Sequence, residues 1–225
     1  MNQAVHSTRK RAAAAKRAPE PRTNDPARTM ADIIDVATRE FSEKGLAGAR
    51  IDVIAEAMRT SKRMIYYYFG SKEGLYLAVL EESYRRVRDV ESELNLQDLD
   101  PEEALRRLVA FTFDHHLHHE NYIRLVMSEN INRGQFMAQS QRIQDLNVPA
   151  IAAIRNLYER GVKAGSFRKG LDPVDIHASI SALSFFNVSN RHTFGTIFKL
   201  DMLSPSYIAQ RRANVTEMVV RFVRK

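Results

Sequence analysis

Basic and aromatic side chains are concentrated between residues 59 and 72, where their spacing would place them on one surface. This segment contains no acidic residue and four cations: Arg59, Lys62, Arg63 and Lys72. Lysine and arginine bind phosphate oxygens, and arginine can also donate two hydrogen bonds to a guanine in the major groove. The chemistry favoured here is binding of double-stranded DNA, and the solvated face of an ordinary amphipathic helix is the alternative.

Three short helices are predicted to position these side chains. Residues 26–44, 51–58 and 61–69 carry apolar side chains at steps of three or four residues. Ser61 follows a tight turn and is placed to cap the third helix. The pattern predicts a helix-turn-helix unit whose third helix enters the major groove.

The remainder of the chain also has the signals of helices. Proline follows a capping residue at four predicted helix starts: Asp25, Asp100, Asp172 and Ser204. We therefore predict an all-α protein of about nine helices, with the later six at 72–95, 101–119, 121–132, 136–164, 173–198 and 205–224. The helix at 136–164 is expected to break or bend near Pro149.

Composition narrows the function further. The 225 residues have a net charge of +7 and include no cysteine, which excludes disulfides, thiolate zinc sites and cysteine nucleophiles. No nucleophile elbow, phosphate-binding glycine loop or zinc motif is found, so neither an enzyme nor a cofactor is predicted. An active site assembled from distant residues is the alternative. Without an apolar run near the ~20 residues of a membrane span, a cytoplasmic protein with no membrane partner is expected.

The first 25 residues are predicted to be a disordered basic tail. Residues 1–28 carry seven Lys or Arg against two acidic residues and almost no large apolar side chain. Such a segment cannot bury enough apolar surface to offset the entropy of ordering it. The tail can follow phosphates or only aid solubility, and a non-specific basic nucleic-acid-binding protein is an alternative function for the whole chain.

At residues 30–82 the sequence resembles the DNA-binding domain of the TetR family of bacterial transcriptional regulators. The resemblance includes Ile54-Ala55 before the turn, the Ser61 cap, the aromatic run from Tyr66 to Phe69, and the segment from Ser71 to Leu75. About 50 positions match without a gap, a span within the usual size of a small domain. Segments 129–134 and 184–195 are also similar to a subgroup of the family that controls catabolic operons.

The resemblance implies a regulator with two domains. A helix-turn-helix DNA-binding domain at 26–75 would follow the tail at 1–25, and a helical effector-binding and dimerisation domain would span 76–225. The implied function is a ligand-responsive, sequence-specific transcriptional regulator. It would be a homodimeric repressor that a small-molecule effector releases from a palindromic operator.

Carried over residue by residue, the resemblance implies a set of DNA contacts. Phosphate contacts are assigned to Ser61, Tyr66 and Lys72, and groove contacts to Lys62, Arg63, Met64 and Tyr67. Arg50 stands where relatives have a capping Ser or Thr, so a cap would be exchanged for a phosphate-binding cation. Arg59 stands where most relatives have glycine, and must adopt a left-handed conformation or reshape the turn.

Polar and aromatic residues of the predicted body are candidates for an effector site. They are His115, His119, Tyr122, Asn130, Arg133, Phe186, Asn187 and Asn190. A mostly apolar cavity with a few polar groups suits an aromatic or acidic small molecule, and core packing or helix ends are the alternative roles. The His115–His119 spacing also suits a metal, but no zinc motif accompanies it and no metal site is predicted.

The last two helices are predicted to form the dimer interface. Their apolar faces comprise Ile208, Val215, Val219 and Phe222 on one helix and Ile180, Leu183 and Asn187 on the other. Such faces suit a four-helix bundle across a two-fold axis. The alternative is that the same faces close the core of one protomer.

Overall fold

The computed structural model describes residues 25–225, which form ten α-helices and two single-turn 3₁₀ helices. The α-helices are α1 (Pro26–Gly48), α2 (Ile51–Ala57), α3 (Lys62–Phe69), α4 (Lys72–Ser92), α5 (Pro101–His118), α6 (Glu120–Ile131), α7 (Gln141–Ala164), α8 (Pro173–Ser189), α9 (Arg191–Phe198) and α10 (Pro205–Val223). The 3₁₀ helices are Leu96–Asp98 and Met137–Gln139. The all-α prediction is confirmed, while the predicted basic tail lies, except for Asp25, outside the described residues.

Helix boundaries follow local capping chemistry. The carboxylates of Asp25, Asp100 and Asp172 accept backbone N–H bonds at the starts of α1, α5 and α8. Gly45 has a φ of +65° and bends the last turn of α1, a backbone conformation that glycine adopts without strain. The three aspartate caps lie where the sequence predicts them, whereas Ser204 makes no side-chain capping bond at the start of α10.

Two predicted helices differ from the observed ones. The helix expected at 173–198 is divided at Asn190, whose ψ of 1° is not helical, into α8 and α9. The helix expected from residue 136 begins at Gln141, because the Ser140 hydroxyl caps it by accepting the Ile143 N–H. Pro149 lies inside α7 without ending it. The carbonyl that it leaves free, that of Asp145, lies at an exposed position where water can bond it.

Two apolar cores are built from these helices. The first core packs the four helices α1, α2, α3 and α4 together through buried side chains, among them the fully buried Phe41, Ile65 and Tyr76. It continues into the body through Leu125 of α6 and Ile143 of α7. The second joins α5, α7, α8 and α10. The predicted domain boundary after residue 75 falls within α4, so this helix links the N-terminal unit to the body.

A polar junction also connects α1 to α6. The Arg124 guanidinium donates from Nε to the Ser42 carbonyl at 2.8 Å, near the end of α1. The Ser42 hydroxyl lies 3.1 Å from the amide oxygen of Asn121. The N-terminal unit is therefore held to the body at two places: through α4, which continues into the body, and through the contact of α1 with α6.

The apolar faces of α8 and α10 point into the protomer. Ile180, Val215 and Val219 are each at most 1% exposed and pack in the second core. The prediction that these three face a partner is wrong, because they are already covered within the protomer. Any interface on α8 and α10 must use their outward sides, where Val174 and Met218 are exposed.

Candidate nucleic-acid interface and effector cavity

The turn between α2 and α3 is tight and left-handed. Arg59, which stands where most relatives have glycine, has a φ of +51°. It therefore adopts the left-handed conformation, at a cost of about 1–2 kcal/mol. The N–H of Thr60 bonds the Ala55 carbonyl at 3.0 Å and closes the end of α2. Ile54 and Ile65 are fully buried beneath the turn and hold the two helices together.

The outward face of α3 presents the predicted groove-facing side chains together. Tyr67 is 77% exposed, Tyr66 43% and Met64 38%, whereas Ile65 between them is fully buried. Lys62 and Arg63 are exposed in the first turn of the same helix. Such a face combines cations, apolar surface and aromatic rings, the groups that contact phosphates and base edges.

Serine hydroxyls cap the N-termini of α3 and α4 at this surface. Ser61 accepts the Met64 N–H at 3.3 Å, and Ser71 accepts the Gly74 N–H at 2.9 Å at the start of α4. Lys72 lies in the first turn of α4, and its Nζ donates to the Ala47 carbonyl at 3.3 Å. Ser61 and Lys72 therefore both lie at helix N-termini, where backbone N–H groups and the helix dipole favour anions.

Arg50 does not cap α2 with its side chain. The buried Glu40 carboxylate accepts the Arg50 N–H at 3.1 Å and takes over part of that role. The Arg50 guanidinium instead pairs with Asp52 at 2.7 Å, and Lys62 approaches the same carboxylate at 3.8 Å. The hydrogen bond from Arg50 lowers the pKa of Asp52.

Asp52 is a residue of this surface that the sequence analysis misses. It holds two of the predicted DNA-contacting cations at once, although a carboxylate would repel DNA. The only signal for it in the sequence is its position two residues after Arg50.

A cavity of about 330 Å³ lies in the body between α4, α5, α6 and α8. Its wall includes Tyr84, Arg88, His115, His116, Tyr122 and Phe185. Two of the predicted effector residues, His115 and Tyr122, thus line one cavity. The His119 ring stacks on His115 at a centroid distance of 4.1 Å and supports that wall.

The other predicted effector residues lie away from this cavity: Asn130, Arg133, Phe186, Asn187 and Asn190. The Asn187 side chain accepts a bond from Arg211 at 3.0 Å, between α8 and α10. Phe186 packs on Phe194 at 5.3 Å, and Asn190 separates α8 from α9. Asn130 bonds the Val126 carbonyl of its own helix, and Arg133 occupies a left-handed turn after α6.

Burial keeps the histidines of the cavity neutral. It lowers the pKa of His115 to about 3 and that of His116 to about 4, and nearby positive charges act in the same direction. The pKa of His177 is also lowered by burial. At neutral pH these rings therefore offer hydrogen bonds rather than charge.

The charged groups at the cavity are Arg88 and Glu91, one turn apart on α4. They form an ion pair with each other, and their side chains are only 13% and 14% exposed. Burial raises the pKa of Glu91 even though Arg88 lowers it. Sequence reasoning misses this pair because Arg88 is one of several arginines on α4, and only the fold shows which of them faces inward.

Two further structural findings concern metals and membranes. Between residues 25 and 225, no group of three or more His, Cys, Asp or Glu side chains is arranged to hold a metal ion. In the same part of the chain, no helix is both long and apolar enough to cross a membrane.

Two family models match the chain. One, described as bacterial regulatory proteins of the tetR family, matches residues 33–79. The other, described as a tetracyclin repressor-like C-terminal domain, matches residues 101–219.

Individual relatives are similar over most of the chain. The HTH-type transcriptional repressor NicS of Pseudomonas putida is 34% identical over 198 residues, which are 88% of this chain and 93% of that protein. The HTH-type transcriptional repressor SCO4008 of Streptomyces coelicolor is 35% identical over 61% of this chain and 69% of that protein. A solved tetR-family regulator from Rhodococcus RHA1 has the same fold, with a TM-score of 0.68, 20% identity, and coverage of 87% of this chain and 96% of that one.

Proposed function

Because this chain belongs to the TetR family of bacterial regulatory proteins, we propose that the outward face of α3 reads the bases of a two-fold symmetric operator. The protein is a ligand-responsive, DNA-binding transcriptional repressor. The observation that supports this site is the single exposed face formed by Lys62, Arg63, Met64, Tyr66 and Tyr67 on a capped, well-packed helix.

Phosphates and bases are contacted by different parts of this surface. Ser61, Tyr66, Lys72 and Arg50 bind phosphates on either side of α3, and thereby fix its depth and direction in the groove. Arg63 donates two hydrogen bonds to a guanine, and Met64 contacts a thymine methyl group. Lys62 and Tyr67 contact the neighbouring base edges.

The repressor acts as a homodimer. One α3 spans few base pairs, and two copies related by a two-fold axis place their recognition helices one DNA turn, about 34 Å, apart. The outward sides of α8 and α10, with Val174, Ala182 and Met218 exposed, provide the surface for the second copy. The effector binds in the body, and α4 transmits its binding to α3 with a coupling of about 1–3 kcal/mol.

Selection from a random duplex pool tests this proposal. We expect a two-fold symmetric winner that binds at least about 1,000-fold tighter than scrambled DNA at near-physiological salt. Binding that depends only on salt, without an enriched palindrome, would contradict sequence-specific recognition and favour the non-specific alternative.

Replacing Asp52 tests the electrostatics of the surface. Asp52→Asn should release Arg50 and Lys62 to bind phosphates. We expect affinity for scrambled duplex to rise about two- to fivefold, and the slope of log K against log salt to steepen by about 1–2. Filter binding or fluorescence anisotropy over a salt series measures both quantities.

The matched control for this variant is Asp35→Asn. Asp35 also pairs with an arginine, Arg86, at 2.6 Å, but on α1 and α4 away from α3. The Asp35→Asn variant removes the same negative charge from the protein as Asp52→Asn does, and it should change the salt slope by much less. Equal changes in the two variants would show that net charge, rather than release of the two cations, is responsible.

A further inference from the structure

Three buried polar atoms in the body lack a partner in the protein and belong to side chains that line the same cavity. They are Nε of Arg88 and the Nδ1 atoms of His115 and His116. His115 and His116 are 8% and 7% exposed. An unpaired buried polar group is costly, so three such groups in the wall of one cavity indicate a polar occupant that the side chains can turn to meet.

The charge of that occupant follows from the groups that face it. Arg88 is the cation of the cavity, since its three histidines are neutral at pH 7. Its counter-ion, Glu91, comes from the same helix and leaves Nε of Arg88 free. Glu91 bonds only Nη1 of the guanidinium, so a bidentate carboxylate that also uses Nε satisfies more of the Arg88 donors than Glu91 does.

Glu91 also borders a second cavity. Arg88 and Glu91 also line a second, mostly apolar cavity of about 600 Å³ between α4 and α7. Arg142 of α7 borders this second cavity together with the carboxylates of Asp89 and Asp145, and it pairs loosely with Glu81, at 3.5 Å. A carboxylate displaced from Arg88 can therefore turn towards another cation without leaving the protein.

We propose that the effector is a small organic acid whose carboxylate replaces Glu91 on Arg88. Its remaining atoms lie between Phe185 and the Nδ1 atoms of His115 and His116, in a space that fits a single ring or a short chain. This inference rests on the proposed function, because it names the ligand class of the repressor.

The exchange also explains how binding reaches the DNA. Glu91 would turn into the cavity between α4 and α7 and alter the packing of these two helices. Since α4 begins at Lys72 beside α3, a shift of α4 changes the separation of the two recognition helices in the dimer. The ligand therefore favours the state in which the operator is released.

Titration calorimetry with the full chain tests the ligand class directly and without DNA. The probes are benzoate, salicylate, cyclohexanecarboxylate and hexanoate, each compared with its primary amide. We expect saturable binding of at least one acid, with its amide at least about tenfold weaker, because the amide cannot form the ion pair. No binding by any acid, or equal binding by the amides, overturns the proposal.

Variants of the ion pair test the exchange. Arg88→Met should weaken the acid at least about tenfold, and Glu91→Gln should strengthen it, because the internal competitor is removed. Arg88→Met leaves Glu91 buried alone and can destabilise the fold, so the double variant Arg88→Met/Glu91→Leu is measured beside it. Weaker acid binding in Glu91→Gln overturns the exchange. Arg85→Met, which removes an arginine whose partners are Glu82 and Asp89, is the matched control and should bind the acid normally.

A DNA measurement separates the two proposals. With the selected operator bound, the acid should release the wild-type protein and not the Arg88→Met/Glu91→Leu variant, which still binds the operator. Failure to obtain an operator would count against the proposed function alone. An operator complex that the binding acid leaves intact would overturn the coupling between the cavity and DNA.

Discussion

Gly74→Ala is expected to abolish specific operator binding while leaving the helical body folded. A Cβ at this position would overlap the backbone carbonyl oxygen of Phe69, so the link between α3 and α4 must move. The shift would also break the cap in which Ser71 accepts the Gly74 N–H. Overpacking and cap loss together cost about 2–4 kcal/mol. Operator affinity should fall about 1,000-fold, to the level of scrambled DNA, as measured by anisotropy titration.

Gly48→Ala is the matched control for this variant. Gly48 ends α1 in the same unit, and a Cβ there would meet only the Lys44 side chain at 3.4 Å, an ordinary contact. This variant should bind the operator normally. Circular dichroism should show near-native helix content for both proteins. Normal operator binding by Gly74→Ala would mean that the position of α4 relative to α3 does not govern DNA recognition.

The helix-turn-helix unit can be predicted from sequence because its determinants are local. The Ser61 cap, the spacing of Ile54 and Ile65, and the absent glycine at Arg59 each concern neighbours within a few residues. Ser61 caps α3 as predicted, and Arg59 adopts the left-handed conformation, one of the two outcomes that the sequence leaves open. Propensity, capping and periodicity agree over this segment, so a short window contains enough information.

The apolar stripes of the body show where local reasoning stops. An apolar stripe such as Val215 and Val219 indicates that this face of the helix is buried. It does not indicate whether the residues that bury it belong to the same chain or to a second copy. Here the cover is the protomer's own core, chiefly α5 and α8. Only the tertiary packing distinguishes the two outcomes.

The effector cavity shows a second limit. His115 and Tyr122 could be found because they lie near each other in the sequence. Arg88 could not, because it reaches the same cavity from α4, a different helix from the one that contains His115, and the sequence does not show which side of α4 faces inward. Asn187 and Asn190 attract attention as polar residues among phenylalanines, yet Asn187 joins α8 to α10 and Asn190 ends a helix. A polar residue in an apolar segment is thus a weak signal for ligand binding.

Acid should destabilise this protein through the same cavity. His115 and His116 remain neutral in the folded state, with pKa values near 3 and 4, whereas in the unfolded chain they titrate near 6.5. Below pH 6.5 the unfolded state therefore binds more protons, and stability falls as pH falls. Each histidine contributes at most about 1.4 kcal/mol per pH unit, so lowering the pH from 6.5 to 5 should cost about 2–4 kcal/mol. Urea unfolding across this range measures the loss.

The double variant His115→Asn/His116→Asn isolates this contribution. Its free energy of unfolding at neutral pH can be lower, because buried side chains change, but its dependence on pH between 6.5 and 5 should be much flatter. His192→Asn, at an exposed histidine of α9, should keep the wild-type slope. Because carboxylates titrate in every variant, the contribution of the two histidines is obtained from the difference between the variants in the slope of unfolding free energy against pH. Equal slopes in the double variant and the wild type would show that the two rings are protonated in the folded state. In that case Arg88 would not be the only cation that an acidic ligand meets.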